Sequence, residues 1–133
     1  MAIEDEDYQR LLAFRTGLRR FLQWSEEQAA SVGLTSAQHQ LLLAVRGSTT
    51  VGGATIGELS EALLLKHHST VGLVDRVETA GLVRRRRDTT DKRVVHVQVT
   101  AKGERLLERL AAAHLDELEQ LAPMLRALVR AAR

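Results

Sequence analysis

Apolar residues recur at helical spacing in five segments of this chain, and these segments predict a mainly helical fold. In the first segment, from about residue 5 to residue 30, they are spaced by three and four and line one side of a long amphipathic helix. The members of this stripe are Leu11, Phe14, Leu18 and Phe21. A second helix is expected from Thr35 or Ser36, either of which can cap it, to Gly47. Residues 47–54 are rich in glycine and threonine and are expected to form a loop.

Two shorter helices joined by a tight turn are predicted next, which is the pattern of a helix-turn-helix. The first begins near residue 57, and the second runs from about residue 67 to residue 80, where Gly81 ends it. The residues expected on the buried side of the first of these helices are Leu59, Leu63 and Leu64.

A strand pair and a long helix complete the predicted elements. Residues 95–99 alternate between valine and polar residues, which is typical of a half-buried strand, and residues 88–92 form the expected hairpin tip. Thr100 is expected to cap the last helix. Because Pro123 lacks a backbone N–H and its ring disrupts a helix interior, we expect a break near Ala122 and a separate short helix over residues 123–131.

Composition narrows the class of protein. At 133 residues and 44% hydrophobic, the chain is long enough for one domain with its own core but too short for two. It has no cysteine, which excludes a disulfide framework and thiol redox chemistry. Neither a signal peptide nor an apolar run of bilayer length is visible, so we expect a cytoplasmic protein with no membrane partner.

Positive charge is concentrated in the predicted hairpin. Residues 84–93 contain six basic and two acidic side chains, so this segment carries more net positive charge than the whole chain, whose total is +2. A focused basic projection is typical of a group that docks on phosphates and releases their counterions. The hairpin therefore indicates a nucleic-acid partner.

The order of elements is that of a winged helix-turn-helix framed by terminal helices, and five segments together resemble the MarR family of bacterial transcription regulators. They are Leu34–Gln38, Ile56–Ser60, Ser69–Val83, Asp88–Arg93 and Thr100–Gly103. The resemblance implies one domain over residues 1–133, mainly α with a small β wing, in which residues 34–100 form the winged helix-turn-helix and residues 5–32 and 101–133 form dimerisation helices. It also implies a homodimer that binds a pseudo-palindromic operator in double-stranded DNA as a ligand-responsive repressor, not an enzyme. The apolar stripes of the terminal helices independently require a partner surface, because one small core cannot bury them.

Within this resemblance, the helix that begins at residue 67 is the recognition helix. Its expected contacts to bases and phosphates are His67, His68, Ser69 and Thr70. The alternative for Ser69 and Thr70 is that they only cap the helix. Many relatives carry an arginine where this chain has Gly72 and Leu73, so more of the specificity is expected from the wing and from DNA shape. Arg76 is a further phosphate candidate, with an ion pair to a carboxylate as its alternative.

In the wing, Asp91, Lys92 and Arg93 correspond to the family's Asp-x-Arg element, in which the aspartate orients an arginine that enters the minor groove. Strand alternation sends residues 84 and 86 to one face and residues 85 and 87 to the other, so at most half of this arginine run is expected to approach DNA. Arg86 is included among the candidates. The alternative is that the run is a solvated strand face.

Many relatives are released from DNA by small aromatic acids that bind between the dimerisation helices and the winged helix. The matching wall here includes Trp24, His39 and His114, with the alternative that both histidines are only packed in the core. No two histidines have the i, i+4 spacing of a helical metal site and no catalytic motif stands out, so no metal, cofactor or enzymatic activity is expected. A different class of function stays open, in which the basic wing binds an acidic protein partner.

Overall fold

The computed structural model describes residues 1–131, which form five helices and three strands. In chain order these are α1 (Asp5–Ser31), α2 (Ser36–Gly47), β1 (Ala54–Thr55), α3 (Ile56–Leu63), α4 (His67–Thr79), β2 (Val83–Arg87), β3 (Val95–Val99) and α5 (Ala101–Ala131). The fold is mainly α with a small sheet, as predicted. Residues 132 and 133 of the predicted dimerisation segment 101–133 lie outside the described residues. Within the described range, none of the helices combines the length and the apolar composition needed to cross a bilayer.

Side-chain caps fix where two of the helices begin. The Thr35 hydroxyl accepts a hydrogen bond from the Gln38 N–H at 3.1 Å, and the Gln38 side chain accepts one from the Thr35 N–H at 3.0 Å, which makes a capping box. The Thr100 hydroxyl accepts a hydrogen bond from the Gly103 N–H at 3.1 Å. These bonds confirm the predicted starts of α2 and α5.

The core lies where α2, α3 and α4 pack together against the sheet, with the start of α5 closing one side. Its most buried large side chains are Leu41, Leu42, Leu59, Leu82, Val74, Val77, Val83 and Val97. Gly103 permits the close approach of α5, because a Cβ at this position would lie only 2.2 Å from the Leu82 carbonyl oxygen. The glycine therefore lets α5 begin directly against the winged helix.

The sheet is antiparallel with the strand order β1-β3-β2. β2 and β3 form the predicted hairpin, in which Val83 lies opposite Val99. β1 pairs with the other edge of β3, and Ala54 lies opposite Val97. The loop expected over residues 47–54 overlaps this strand at Ala54, and the strand was not predicted because two residues are too few to show an alternating pattern.

Two expectations for the helix boundaries are wrong. Leu64 was expected on the buried side of α3, but it is 91% exposed and adopts the left-handed conformation, φ 54°, that ends the helix. The break expected near Ala122 is absent from the described part of α5, which continues through Pro123 to Ala131. A proline removes only one intrahelical bond, whereas Leu121 and Ala122 just before it are half-buried and Leu121 faces α1, so this contact favours one continuous helix.

Candidate nucleic-acid interface

The start of α4 presents polar side chains at the protein surface. His67 and His68 are exposed and Ser69 is half-buried. The residue at the cap position is Lys66, and among the described residues no side chain caps α4. The first backbone N–H groups of the helix therefore stay available to an anion, and the side chain of Ser69 is not used as a cap.

Thr70 differs from its three neighbours, and its predicted role needs correction. It is 0% exposed. Its hydroxyl accepts a hydrogen bond from the Ser60 hydroxyl at 2.8 Å and donates one to the Lys66 carbonyl at 3.1 Å. Because the buried hydroxyl donates one hydrogen bond and accepts another inside the protein, Thr70 joins α3 to α4. It is therefore removed from the residues proposed to contact DNA.

The wing tip holds one strongly exposed arginine in a fixed orientation. The side chain of Arg93 is 91% exposed. Its Nε and Nη2 donate to Oδ1 and Oδ2 of Asp91, each at 3.0 Å. This pairing lowers the pKa of the Asp91 carboxyl, so the aspartate stays ionised and the two-bond geometry is kept. The remaining donors of the guanidinium face solvent, which suits contact with an anion.

The four arginines of residues 84–87 do not simply alternate between the two faces of the sheet. Arg85 alone is turned inward. Its side chain is 27% exposed, and its guanidinium lies 2.5 Å from Asp75 Oδ1 and 2.5 Å from Glu78 Oε1 on α4. Arg84, Arg86 and Arg87 are exposed. Arg85 is therefore a link between the wing and the recognition helix, which sequence reasoning missed. The signal was the pair of carboxylates spaced by three on α4.

The start of α4 and the wing arginine border the same groove. Its lining includes His67 and Arg93, and its volume is about 370 Å³. The other candidates, His68, Ser69, Arg76, Arg86 and Lys92, are not among the residues that line it. Arg76 is exposed and forms no ion pair within the described residues, so the structure provides no carboxylate partner for it.

A second feature that sequence reasoning missed is the buried His96 beneath the hairpin tip. The alternating pattern placed it on the solvent side of β3, but it is 6% exposed. Its Nε2 lies 2.9 Å from Asp88 Oδ1, and its Nδ1 lies 2.8 Å from the Gly53 carbonyl oxygen. A polar residue on the outer face of a strand can thus be covered by a loop that the strand pattern does not reveal.

The predicted ligand residues come together as a packed cluster of rings. The ring centroid of His114 lies 4.8 Å from that of Trp24 and 4.9 Å from that of His39. His114 is held by the Ser25 hydroxyl and the Leu110 carbonyl, each at 2.7 Å. Burial and the neighbouring His114 lower the pKa of His39, which favours its neutral form.

A groove of about 650 Å³ lies beside this cluster, between α1 and α5. Trp24 lines it, but His39 and His114 are not among its lining residues. Within residues 1–131, no three histidine, aspartate or glutamate side chains are placed to hold a metal ion.

Comparison with known proteins identifies related regulators. The sequence model of the MarR family matches residues 32–94. The uncharacterized HTH-type transcriptional regulator YsmB of Bacillus subtilis is 34% identical over 71 residues, which cover 53% of this chain and 49% of YsmB. The matched part of the chain thus spans about half the length of this curated relative.

Solved structures match over more of the chain. A MarR family protein from Bacillus stearothermophilus has a TM-score of 0.77 and 27% identity, with coverage of 98% of this chain and 96% of that protein. The Staphylococcus aureus MepR–DNA complex contains a chain with the same fold, with a TM-score of 0.70, 22% identity and coverage of 85% and 81%. The proteins matched by sequence and by structure are transcription regulators, not enzymes.

Proposed function

The chain belongs to the MarR family of transcription regulators, and from this premise we propose that it binds double-stranded DNA as a homodimer and represses transcription from a pseudo-palindromic operator. The start of α4 lies in the major groove, and Arg93 reaches into the adjacent minor groove. The DNA complex of MepR, which shares the fold, supports the proposal.

The observation that carries the proposal is that His67 and Arg93 line the same groove. His67 stands at the uncapped start of a helix, where backbone N–H groups and the helix dipole favour phosphate. Arg93 is exposed and oriented by two bonds, and its planar, weakly hydrated head suits a narrow minor groove. His68, Ser69, Lys92, Arg76 and Arg86 are proposed to add contacts around this pair.

The homodimer is supported by the terminal helices. α1 has 27 residues, of which only Ala29 is buried. Its exposed apolar side chains include Leu11, Leu12, Phe14, Leu18 and Leu22, and those of α5 include Leu115, Leu118, Met124, Leu125 and Val129. Two continuous apolar faces of this length are unfavourable in water, and a second copy supplies the matching surface.

An aromatic acid is proposed as the effector that releases the protein from DNA. The groove between α1 and α5 offers the ring of Trp24 for stacking and Arg20 for a carboxylate. His39 and His114 lie behind Trp24 and connect this groove to α2. Benzoate is a suitable probe, with its effect on DNA affinity as the readout.

Selection of bound duplexes from a random pool tests the proposal. We expect enrichment of a pseudo-palindrome whose half-sites lie about 10 base pairs apart, because a two-fold dimer places its recognition helices one helical turn apart. An enriched site placed over the promoter of a reporter gene then tests repression. A pool without enrichment, or enrichment of an asymmetric single site, would refute the proposed mode of binding.

A further inference from the structure

We propose that His96 is a positioning residue for the wing: its doubly protonated ring ties the hairpin tip to the start of the helix-turn-helix, and the tip loosens when the ring loses one proton. The proposal rests on the DNA-binding function proposed above, and adds the residue that sets where Arg93 lies.

The two partners of the ring require a proton on each nitrogen. Nδ1 faces the Gly53 carbonyl oxygen at 2.8 Å, and a carbonyl only accepts hydrogen bonds. Nε2 faces Asp88 Oδ1 at 2.9 Å, and an ionised carboxylate also only accepts. A neutral imidazole has one N–H and can satisfy only one of these partners. The geometry therefore calls for the imidazolium form.

Asp88 transmits the position of the ring to the hairpin tip. Its second oxygen, Oδ2, accepts hydrogen bonds from the backbone N–H groups of Thr90 at 3.0 Å and Asp91 at 2.8 Å. Asp91 in turn orients Arg93. The backbone turn and the proposed minor-groove arginine are thus connected to the buried ring through one carboxylate.

The two hydrogen bonds of the His96 ring form a lock between the wing tip and the loop before β1. Two glycines fix the Gly53 end of this lock. Gly52 and Gly53 have φ values of 90° and 116°, and a Cβ on Gly53 would lie 2.6 Å from the Val97 carbonyl oxygen. A Cβ on Gly52 would lie 3.4 Å from the ring of His96, so this loop covers the ring closely. The loop runs directly into β1 and then α3. The ring therefore joins the wing tip to the first helix of the helix-turn-helix.

The carboxylate beside the ring favours its protonated form, and the nearest cation is turned to solvent. Asp88 is bonded to it, and Asp91 lies behind Asp88. Arg86 is the cross-strand neighbour on β2, with its side chain exposed. On the other elements that pack against β3, Glu58 of α3 is bonded to Thr50, and Arg46 of α2 pairs with Glu104 of α5.

The bond to Gly53, and then the bond to Asp88, raise the pKa of His96 above its ordinary value of 6.5. The stabilisation of the wing tip by the lock is therefore complete below about pH 6.5. It is lost as the pH rises through the raised pKa of His96.

Nuclear magnetic resonance of the free protein tests the lock without DNA. We expect the ring nitrogens of His96 to titrate with a midpoint above 6.5. The backbone amides of Thr90 and Asp91 should shift with the same midpoint. Asp88→Asn keeps an acceptor oxygen for those amides but removes the charge, so the midpoint should fall. A midpoint of 6.5 or lower, or amides that do not follow the ring, would overturn the proposal.

A DNA measurement then tests its consequence, with the duplex enriched by selection as the probe. Between about pH 6 and pH 8.5, we expect the affinity of the wild type to fall about fivefold more than that of His96→Gln. The two proteins differ only at position 96, so the difference between them isolates His96. Equal pH dependence in the two proteins would overturn the link to DNA. If neither protein binds any duplex, the DNA-binding function fails separately, and the resonance data still decide the lock.

Discussion

Replacing Arg85 with glutamine is predicted to destabilise the protein without removing a phosphate contact. The guanidinium of Arg85 bridges β2 to Asp75 and Glu78 on α4, and its side chain is 27% exposed. The two carboxylates are 60% and 38% exposed, so solvent screens them, and each pair contributes about 0.5 kcal/mol. Together with the loss of packing by the arginine stem, Arg85→Gln should lower the free energy of unfolding by about 1–1.5 kcal/mol.

Urea unfolding followed by circular dichroism measures this effect at one fixed protein concentration. With a slope of about 2 kcal/mol per molar urea, the midpoint should fall by about 0.5–0.75 M. Arg84→Gln is the matched control on the same strand, because Arg84 is exposed and, within residues 1–131, its side chain makes one bond, to Gln98 at 3.3 Å. Its stability should stay within about 0.5 kcal/mol of the wild type.

The salt dependence of DNA affinity provides the second readout for Arg85. Two carboxylates already neutralise this arginine, so Arg85→Gln should leave the slope of log affinity against log salt unchanged. Arg93→Gln should instead make that slope shallower by about 0.9 per lost phosphate contact. The reasoning is refuted if Arg85→Gln unfolds at the wild-type midpoint and lowers the slope as Arg93→Gln does.

Three further predictions concern recognition, assembly and pH. Arg93→Ala should weaken binding to most duplexes by a similar factor, whereas His68→Ala should change the preference among them, and equal losses across a panel of selected duplexes would contradict these roles. Leu11→Glu should yield a monomeric mass by light scattering at micromolar concentration, while the exposed Val51→Glu should not alter the mass; two unchanged masses would exclude α1 from the interface. Because the folded pKa of His39 lies below 6.5, its protonation favours the unfolded state, so stability is full above about pH 6.5 and falls on acidification. His39→Leu should therefore lose less stability than the wild type between about pH 7.5 and pH 5.5 in urea titrations, and an equal loss would contradict the shift.

The helices and the hairpin could be predicted because their signals are local. Apolar spacing, the Thr35 cap and the Thr100 cap each act within a few residues, and the structure confirms them. Packing decided the cases that local signals missed. Pro123 stays inside α5, where the half-buried Leu121 before it faces α1, and the two-residue strand β1 is defined by its pairing with β3.

For the candidate interface, the types of residue could be predicted from the sequence. Which of their side chains point to solvent and which point into the protein could not. Thr70 and Ser69 are equally polar neighbours, yet only Thr70 lies under α3, where Ser60 meets it. Arg85 belongs to a run of four identical residues, and only the position of α4 distinguishes it from the others. His96 is covered by a loop that lies 43 positions earlier in the chain. Such contacts depend on tertiary structure, which a single sequence does not encode in a readable pattern.

The most direct test of the central claim is a salt titration of binding between the wild-type protein and a duplex enriched from a random pool. We expect log affinity to fall linearly with log salt and the affinity to drop about a thousandfold between about 50 mM and 200 mM salt, as for a dimer that contacts at least six phosphates. An affinity that does not change over this range, or a protein that enriches no duplex, would contradict the account and would favour an acidic protein as the partner of the wing.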